Sequence, residues 1–194
     1  MAVKHTMQGH LEGAMPPWSS LLIVPKGVEA TTIVKAPPGF VLCTLQGKKC
    51  RTSASLFAEF ARALTFPDYF GHNWDALEEC LADLEWLPAK GYVLLITDAQ
   101  AVIEDSEEEY ETLLEILNDA GEAWSKGQTA SGQRAPFHAF FVVSEQDKSA
   151  RAHWRLEEFS GVAPGRPTRT KTKRSRQSPV RSAGRARARG SKKR

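Results

Sequence analysis

Apolar residues predominate in three parts of this chain, at residues 40–45, 92–96 and 137–143, and the run at 92–96 is continuous. Runs of this kind are typical of buried parallel strands, whose two faces are both covered. Weaker extended segments are predicted at residues 21–24 and 31–34, where neighbouring prolines limit strand pairing. The pattern therefore predicts three main strands, with long segments between them.

The segment after residue 66 combines a turn with a helix start. Pro67 and Gly71 bracket an exposed loop, and Asn73 is the expected N-cap of a helix that begins at Trp74. Apolar residues then recur at helical spacing. The predicted inward face of this helix consists of Trp74, Leu77, Cys80, Leu81 and Leu84.

Other helices are predicted from caps and spacing. Ser53 or Ser55 is the expected N-cap of a helix after the first main strand. Ser106 opens a capping box, and the helix that follows extends to about Trp124. A short helix around residues 149–159 is expected near the end of the fold.

Strands that are separated by helices pair in parallel through right-handed crossovers. The order of elements therefore predicts an α/β fold, in which helices cover a small three-stranded parallel sheet.

Charged residues are distributed unevenly along the chain. Residues 161–194 contain 13 of the 26 Lys and Arg residues and none of the 23 acids, so residues 1–160 carry a net charge of −10. Residues 161–194 have no apolar face and are predicted to be a disordered basic tail. Residues 1–18 are predicted to be a flexible N-terminus, which leaves residues 19–160 as the folded domain.

Cysteine usage and the N-terminus point to a reducing compartment. Cys43, Cys50 and Cys80 are too few and too scattered for a disulfide framework. No segment has the pattern of a signal peptide or the length of a membrane span. We therefore expect a cytoplasmic protein without a membrane partner.

One face of the helix that begins at Trp74 is acidic. Asp75, Glu79 and Asp83 lie four residues apart, with Glu78 beside them and no Lys or Arg at compensating positions. Like charges at this spacing destabilise a helix by roughly 0.2–0.5 kcal/mol per pair, and such a broken local rule often marks a functional surface. The alternative interpretation is an ordinary solvated face.

A second acidic stripe follows the helix after Ser106. Its N-terminal half is interpreted as a solvated face, because acids near a helix start are favoured by the helix dipole. The stripe consists of Glu108, Glu111, Glu115, Asp119 and Glu122.

The segment from Tyr69 to Leu81 reads YFGHNWDALEECL. This string resembles the signature of the barstar family, small proteins that inhibit secreted microbial ribonucleases of the barnase type. The predicted order of strands and helices also resembles the barstar fold, so the resemblance covers about residues 39–145.

The resemblance implies roles for five residues near the helix start. Asp75 and Glu79 match the acids that block the ribonuclease active site, and Tyr69 matches a loop aromatic residue that packs on the enzyme. Gly71 would let the loop backbone approach the enzyme closely, and Asn73 would fix where the helix starts.

The resemblance also extends to the later helix. Asp119 falls at a supporting acid of the family, and Glu122 lies one position from another. Some positions depart from the family pattern. Glu79 replaces a shorter Asp, while Glu78 and Leu84 replace tryptophans of the founding member. The implied partner is therefore a basic, barnase-like ribonuclease, bound one to one, rather than barnase itself.

No motif for catalysis, a cofactor or a metal site is found. Phosphate-loop, nucleophile-elbow and zinc-protease motifs are absent, and the histidines lack the spacing of metal ligands. The sequence thus favours a binding protein over an enzyme, with no cofactor.

Two other functions remain open. A basic segment binds phosphates by charge, so the tail predicts weak nucleic-acid contact, with the acidic domain as a docking or regulatory module. A hydrolase that uses His72 and the nearby acids is the other alternative, although a surface role for His72 is favoured.

Overall fold

A computed structural model describes residues 7–104 and 106–160. Its centre is one parallel sheet with the strand order β2-β3-β4-β1-β5. The strands are β1 (Ser19–Val24), β2 (Phe40–Gln46), β3 (Gly91–Thr97), β4 (Phe137–Ser144) and β5 (Glu158–Ser160). All of the paired strands are parallel, which confirms the predicted α/β class.

The prediction of three strands is wrong, because the sheet has five. The additional strands are β1, which pairs with β4, and β5, which pairs with β1. The three-residue β5 is too short for a recognisable pattern, and its first two residues fall within the helix predicted around residues 149–159, whereas α6 ends at Trp154. The extended segment predicted at residues 21–24 is confirmed as part of β1. Both pairings join segments far apart in the chain, so no local signal indicates the pairings themselves.

Six helices are present in the described residues. They are α1 (Met7–Glu12), α2 (Ala30–Ile33), α3 (Ser53–Leu64), α4 (Trp74–Asp83), α5 (Glu107–Lys126) and α6 (Lys148–Trp154). The extended segment predicted at residues 31–34 is therefore wrong, since most of it lies in α2. Thr52, and neither Ser53 nor Ser55, is the N-cap of α3. Ser55 instead closes a capping box with Thr52.

The central strand β3 shows how the sheet divides the core. Tyr92, Leu94 and Ile96 lie on the first face, which packs against α3, α4, α5 and α6. Val93 and Leu95 lie on the second face, which α1 and α2 cover. Because both faces are covered, the strand is buried almost throughout, as its continuous apolar run predicts.

Part of the predicted flexible N-terminus is packed on the fold. Leu11 of α1 is buried on the second face, and Trp18 is also buried. Trp18 packs so closely on α5 that a Cβ atom at Gly121 would lie 2.5 Å from its ring. These contacts differ from those of a loosely attached segment, because Leu11 belongs to the core on the second face and Trp18 packs on α5.

The division at residues 18 and 160 stays a prediction. The predicted disordered tail, residues 161–194, lies outside the described residues. Within the described part of the chain, no helix is both long and apolar enough to cross a membrane.

Candidate functional site

The loop between α3 and α4 is held by a buried aromatic residue. The backbone N–H of Phe70 donates to the carbonyl of Pro67 at 3.0 Å, which closes a turn. The Phe70 ring is buried and packs edge to face on Phe66, with centroids 4.9 Å apart. Its neighbour Tyr69 is 73% exposed. The turn thus fixes the backbone and presents the Tyr69 side chain to solvent.

The strained position in this loop is His72 rather than Gly71. His72 has a left-handed φ of 51°, and its ring lies 4.7 Å from that of Phe70. At Gly71, a Cβ atom would lie 3.3 Å from Nδ2 of Asn73 and 3.4 Å from Cβ of Ala76. Glycine therefore relieves crowding at the helix start, which sequence reasoning did not anticipate.

The start of α4 is as predicted. Oδ1 of Asn73 accepts a hydrogen bond from the backbone N–H of Ala76 at 2.8 Å, as an N-cap does. The half-buried Trp74 ring packs edge to face on Phe57 at 4.9 Å, and Leu77 is fully buried. The cap and these contacts fix the rotation of the helix about its axis.

With that rotation, the matched acids of α4 face solvent. Asp75 and Glu79 are exposed, and neither has an ion pair or hydrogen bond with a described residue. The charge of Asp75 is favoured by its place in the first turn. Glu79 has no such local compensation. Both carboxylates are therefore available to a cationic partner.

Acidic residues at the C-terminal end of α4 affect the ionisation of Tyr69. The pKa of the Tyr69 hydroxyl is raised, by partial desolvation and then by electrostatic interactions with Asp83, Cys80 and Glu85. The acidic C-terminal turn of α4 thus acts electrostatically on the loop aromatic residue.

The second acidic helix packs beside the first. Nε1 of Trp124 in α5 donates to the carbonyl of Leu81 in α4 at 2.8 Å. Between the helices runs an open groove of about 480 Å³, lined by Glu78, Ala82, Asp119, Ala120, Glu122, Ala123, Lys126 and Gln128. The structure therefore brings Asp119 and Glu122 next to α4. Asp75 and Glu79 do not line this groove.

The two α5 acids differ in their surroundings. Asp119 is exposed and has no ion pair with a described residue. Glu122 forms an ion pair with Lys126, one helical turn later. This pair was missed, although its i,i+4 spacing could have been read from the sequence. Glu122 is thus partly neutralised within the protein.

Cys80 is a core residue of α4 rather than an exposed nucleophile. Its side chain is buried, and its thiol pKa is raised by desolvation and then by the charges of Asp83 and Glu79. A raised pKa disfavours the reactive thiolate. Over residues 7–104 and 106–160, no group of three His, Cys, Asp or Glu residues is arranged to hold a metal ion.

Comparison with known proteins agrees with this geometry. A family model described as Barstar (barnase inhibitor) matches residues 40–142, from the start of β2 to near the end of β4. No curated protein matches the chain. The matched region includes α3, α4, α5 and the loop that carries Tyr69, and it makes up more than half of the 194 residues. The chain therefore belongs to the barstar family.

Proposed function

We propose that this protein binds one molecule of a basic, barnase-like ribonuclease and inhibits it through Tyr69, Asp75 and Glu79. The observation that carries the proposal is the exposure of two carboxylates without ion partners in the described structure, on a helix within the matched region. Inhibition requires neither turnover nor a cofactor.

The chemistry of RNA cleavage explains why carboxylates are suitable. A ribonuclease holds phosphates with Arg, Lys and His side chains, so its active site is cationic. Carboxylates of Asp75 and Glu79 can take the place of phosphates there, because carboxylate–guanidinium contacts are charge-assisted and often bidentate. Opposite net charges also accelerate the encounter between the two proteins.

The remaining matched residues have supporting roles in this proposal. Gly71 and Asn73 set the geometry of the loop and the helix start, which determines where Asp75 points. Asp119 adds negative charge from α5. Glu122 contributes less than Asp119, because Lys126 already neutralises part of its charge. In this proposal the protein acts in the cytoplasm as an inhibitor and not as an enzyme.

The experiment is a titration of the full-length protein against purified barnase-type ribonucleases, including any that the same genome encodes. The Asp75→Ala, Glu79→Ala double variant removes both matched carboxylates. Its control, Glu111→Ala with Glu115→Ala, removes the same charge from two exposed residues of α5. The control separates specific contacts from general electrostatic steering.

We expect stoichiometric inhibition by the wild type and the control. The double variant should inhibit at least about 30-fold more weakly, the lower end for truncating one desolvated charge partner, a range for which barnase and barstar are the standard example. Equal inhibition by both variants would refute a role for the α4 acids. Activity of every enzyme in the presence of excess wild-type protein would count against inhibition itself.

A further inference from the structure

A crevice lies at the carboxyl edge of the sheet, where β1 and β4 end side by side. Val24 and Ser144 are the last residues of these two strands and are paired in the parallel register. After β1 the chain passes to the second face, where Ala30 of α2 is buried. After β4 it passes to the first face, where Trp154 of α6 is buried. Because the two connections diverge, they leave a space beside the strand ends.

Open α/β sheets typically bind their ligands at such a point of divergence. This crevice has a volume of about 460 Å³, which lies in the range of small-molecule sites. More than half of its lining residues lie outside residues 40–142, the region that the family model matches. Within the described structure, none of the residues proposed to contact the ribonuclease lines it. The crevice is therefore a separate feature of the molecule.

The lining of the crevice combines carboxylates with apolar walls. Three acids come from three separate connections, since Glu29 precedes α2, Asp98 follows β3 and Asp147 precedes α6. No Lys or Arg side chain in the described part of the chain is among the lining residues. The apolar walls include residues at the ends of β1 and β4, namely Val24, Val142 and Val143.

Two of these carboxylates are accessible to a ligand cation. Glu29 is exposed, makes no side-chain hydrogen bond to cap α2, and has no ion pair with a described residue. Asp98 forms an ion pair with Lys48 at 3.0 Å, but the Lys48 side chain is 71% exposed. An exposed pair of this kind contributes little to stability. A ligand cation can therefore replace Lys48 beside Asp98.

The backbone that carries Asp98 is held in place at the end of β3. Asp98 has a left-handed φ of 48°, which Asp tolerates better than most residues. A Cβ atom at Gly47 would lie 2.6 Å from the carbonyl oxygen of Asp98, so glycine is needed for this close approach. A site that is formed before the ligand arrives loses less affinity to ordering.

We propose that this crevice binds a linear aliphatic polyamine, a chain of methylenes with ammonium groups at intervals. One ammonium group contacts Glu29 and another contacts Asp98, through charge-assisted hydrogen bonds. The methylenes between them pack on the valine walls and lose their contact with water. The inference goes beyond ribonuclease inhibition and does not depend on it.

Other classes of small ligand fit this lining less well. Over residues 7–104 and 106–160, no group of three His, Cys, Asp or Glu residues is arranged to hold a metal ion. A neutral apolar ligand would remove water from the carboxylates without supplying a counter-charge. A monoamine has only one ammonium group for carboxylates that lie on separate connections. The lining therefore favours a ligand with several positive charges and an apolar chain.

Isothermal titration calorimetry of the full-length protein at low salt, with spermidine as the ligand, tests the proposal. We expect saturable binding of one spermidine. Butylamine should bind at least about tenfold more weakly, because it lacks the second charge-assisted contact. Octanediol, a neutral chain of the same length as spermidine, should bind more weakly still. Absence of saturable spermidine binding, or equal binding of octanediol, would overturn the proposal.

The Glu29→Gln, Asp98→Asn double variant removes two lining carboxylates and nearly keeps the shape of the crevice. Its control, Glu111→Gln with Glu115→Gln, removes the same charge from exposed residues of α5. We expect the double variant to weaken spermidine binding by about tenfold or more, and the control to change it by less than about twofold. Equal losses in the two variants would assign the binding to general charge attraction and contradict a site in the crevice.

A third variant changes the space and not the charge. Thr31 lines the crevice and is exposed on α2, so Thr31→Trp should fill part of the space without disturbing the core. It should weaken spermidine binding by at least about tenfold, and undiminished binding would place the ligand elsewhere. Lys48→Gln should tighten binding, because it releases Asp98 from its ion pair.

Thermal unfolding gives a second readout, because a ligand that binds only the folded protein raises its melting temperature. Spermidine should raise the melting temperature of the wild type more than that of the Glu29→Gln, Asp98→Asn variant. Equal rises would contradict binding at these carboxylates. Ribonuclease inhibition is measured separately on the same variants and should be unchanged, since Tyr69, Asp75 and Glu79 are intact. Loss of either activity in the wild type therefore leaves the other open to its own test.

Discussion

At the scale of single residues, His138 is the most unusual titratable group. It is fully buried in β4, its Nε2 atom lies 2.9 Å from the carbonyl oxygen of Gly13, and its ring lies 4.4 Å from that of His10. The pKa of His138 is lowered from 6.5 to about 4, mainly by desolvation and then by the neighbouring His10. The fold therefore holds this imidazole in its neutral form.

We predict that the protein loses stability as the pH falls from 7 to 5. A folded-state pKa below the unfolded value means that the unfolded state binds more protons between about pH 6.5 and pH 4. Protonation thus favours unfolding in this window, by about 1–2 kcal/mol between pH 7 and pH 5. Urea denaturation at several pH values measures the slope.

Two variants identify the group responsible for this pH dependence. His138→Leu should be less stable, but its free energy of unfolding should depend less on pH over the same range. His72→Gln changes an exposed histidine and should keep the wild-type slope. A wild-type slope in His138→Leu would assign the effect to another group.

Residue-level prediction succeeded where the signal was local. Asn73 and Ser106 cap their helices as expected, because each cap side chain and the backbone N–H that donates to it are only three residues apart in the chain. Glu59 shows the opposite case. It is buried in α3, where it accepts hydrogen bonds from the backbone N–H of Gln46 and from Arg62. The contact with Gln46 depends on how β2 meets α3, which the sequence does not indicate.

At the scale of elements, the N-cap of α4 links stability to the proposed function. We predict that Asn73→Ala lowers the free energy of unfolding by about 1 kcal/mol, because the N–H of Ala76 loses its acceptor. The substitution should also weaken inhibition, because the cap orders the first turn of α4 and that turn positions Asp75. Asn73→Asp keeps an acceptor at the cap and should retain stability. Urea denaturation and ribonuclease titration of both variants test this link.

Lys126 lies in the groove between α4 and α5, where it competes with the proposed ribonuclease for Glu122. We predict that Lys126→Gln tightens inhibition, because it releases Glu122 from its ion pair. An exposed ion pair of this kind contributes little to stability, so the free energy of unfolding should change by less than about 0.5 kcal/mol. Measurement of the inhibition constant at low and high salt tests this effect. Unchanged inhibition would place Glu122 outside the interface.

The elements that the sequence does not fully predict are missed for one reason. The β2, β3 and β4 strands are predicted because their apolar runs are long, and the family match covers these three. The β1 and β5 strands lie outside the match, and pairing partners far away in the chain stabilise them. Leu11 of α1 is likewise buried only because it packs on the second face of the complete sheet. Apart from the extended segment predicted at residues 21–24, these features have no local signature.

At the scale of the whole molecule, charge is divided between two parts of the chain. The 13 basic residues of 161–194 contrast with the net charge of −10 over residues 1–160. The two proposed partners have opposite charge requirements, since a basic ribonuclease suits the acidic domain and a nucleic acid suits the basic segment. Changing one segment should therefore affect one partner and leave the other almost unchanged.

We predict that replacing all Lys and Arg residues of 161–194 by Gln abolishes weak, salt-dependent RNA binding. The affinity of the wild type for single-stranded RNA should fall as salt rises, because each neutralised phosphate releases counterions. The segment contains no aromatic residue on which bases could stack, so affinity should depend little on RNA sequence. Fluorescence anisotropy with two unrelated RNAs across a salt series measures both properties.

The matched control for this experiment is the Asp75→Ala, Glu79→Ala variant, which should bind RNA at least as well as the wild type. The variant with the neutral segment should in turn inhibit a ribonuclease as the intact protein does, because its acidic helices are unchanged. RNA binding that survived neutralisation of the segment would have to come from residues 1–160. Their excess of carboxylates repels RNA, so such a result would require a site that charge does not explain.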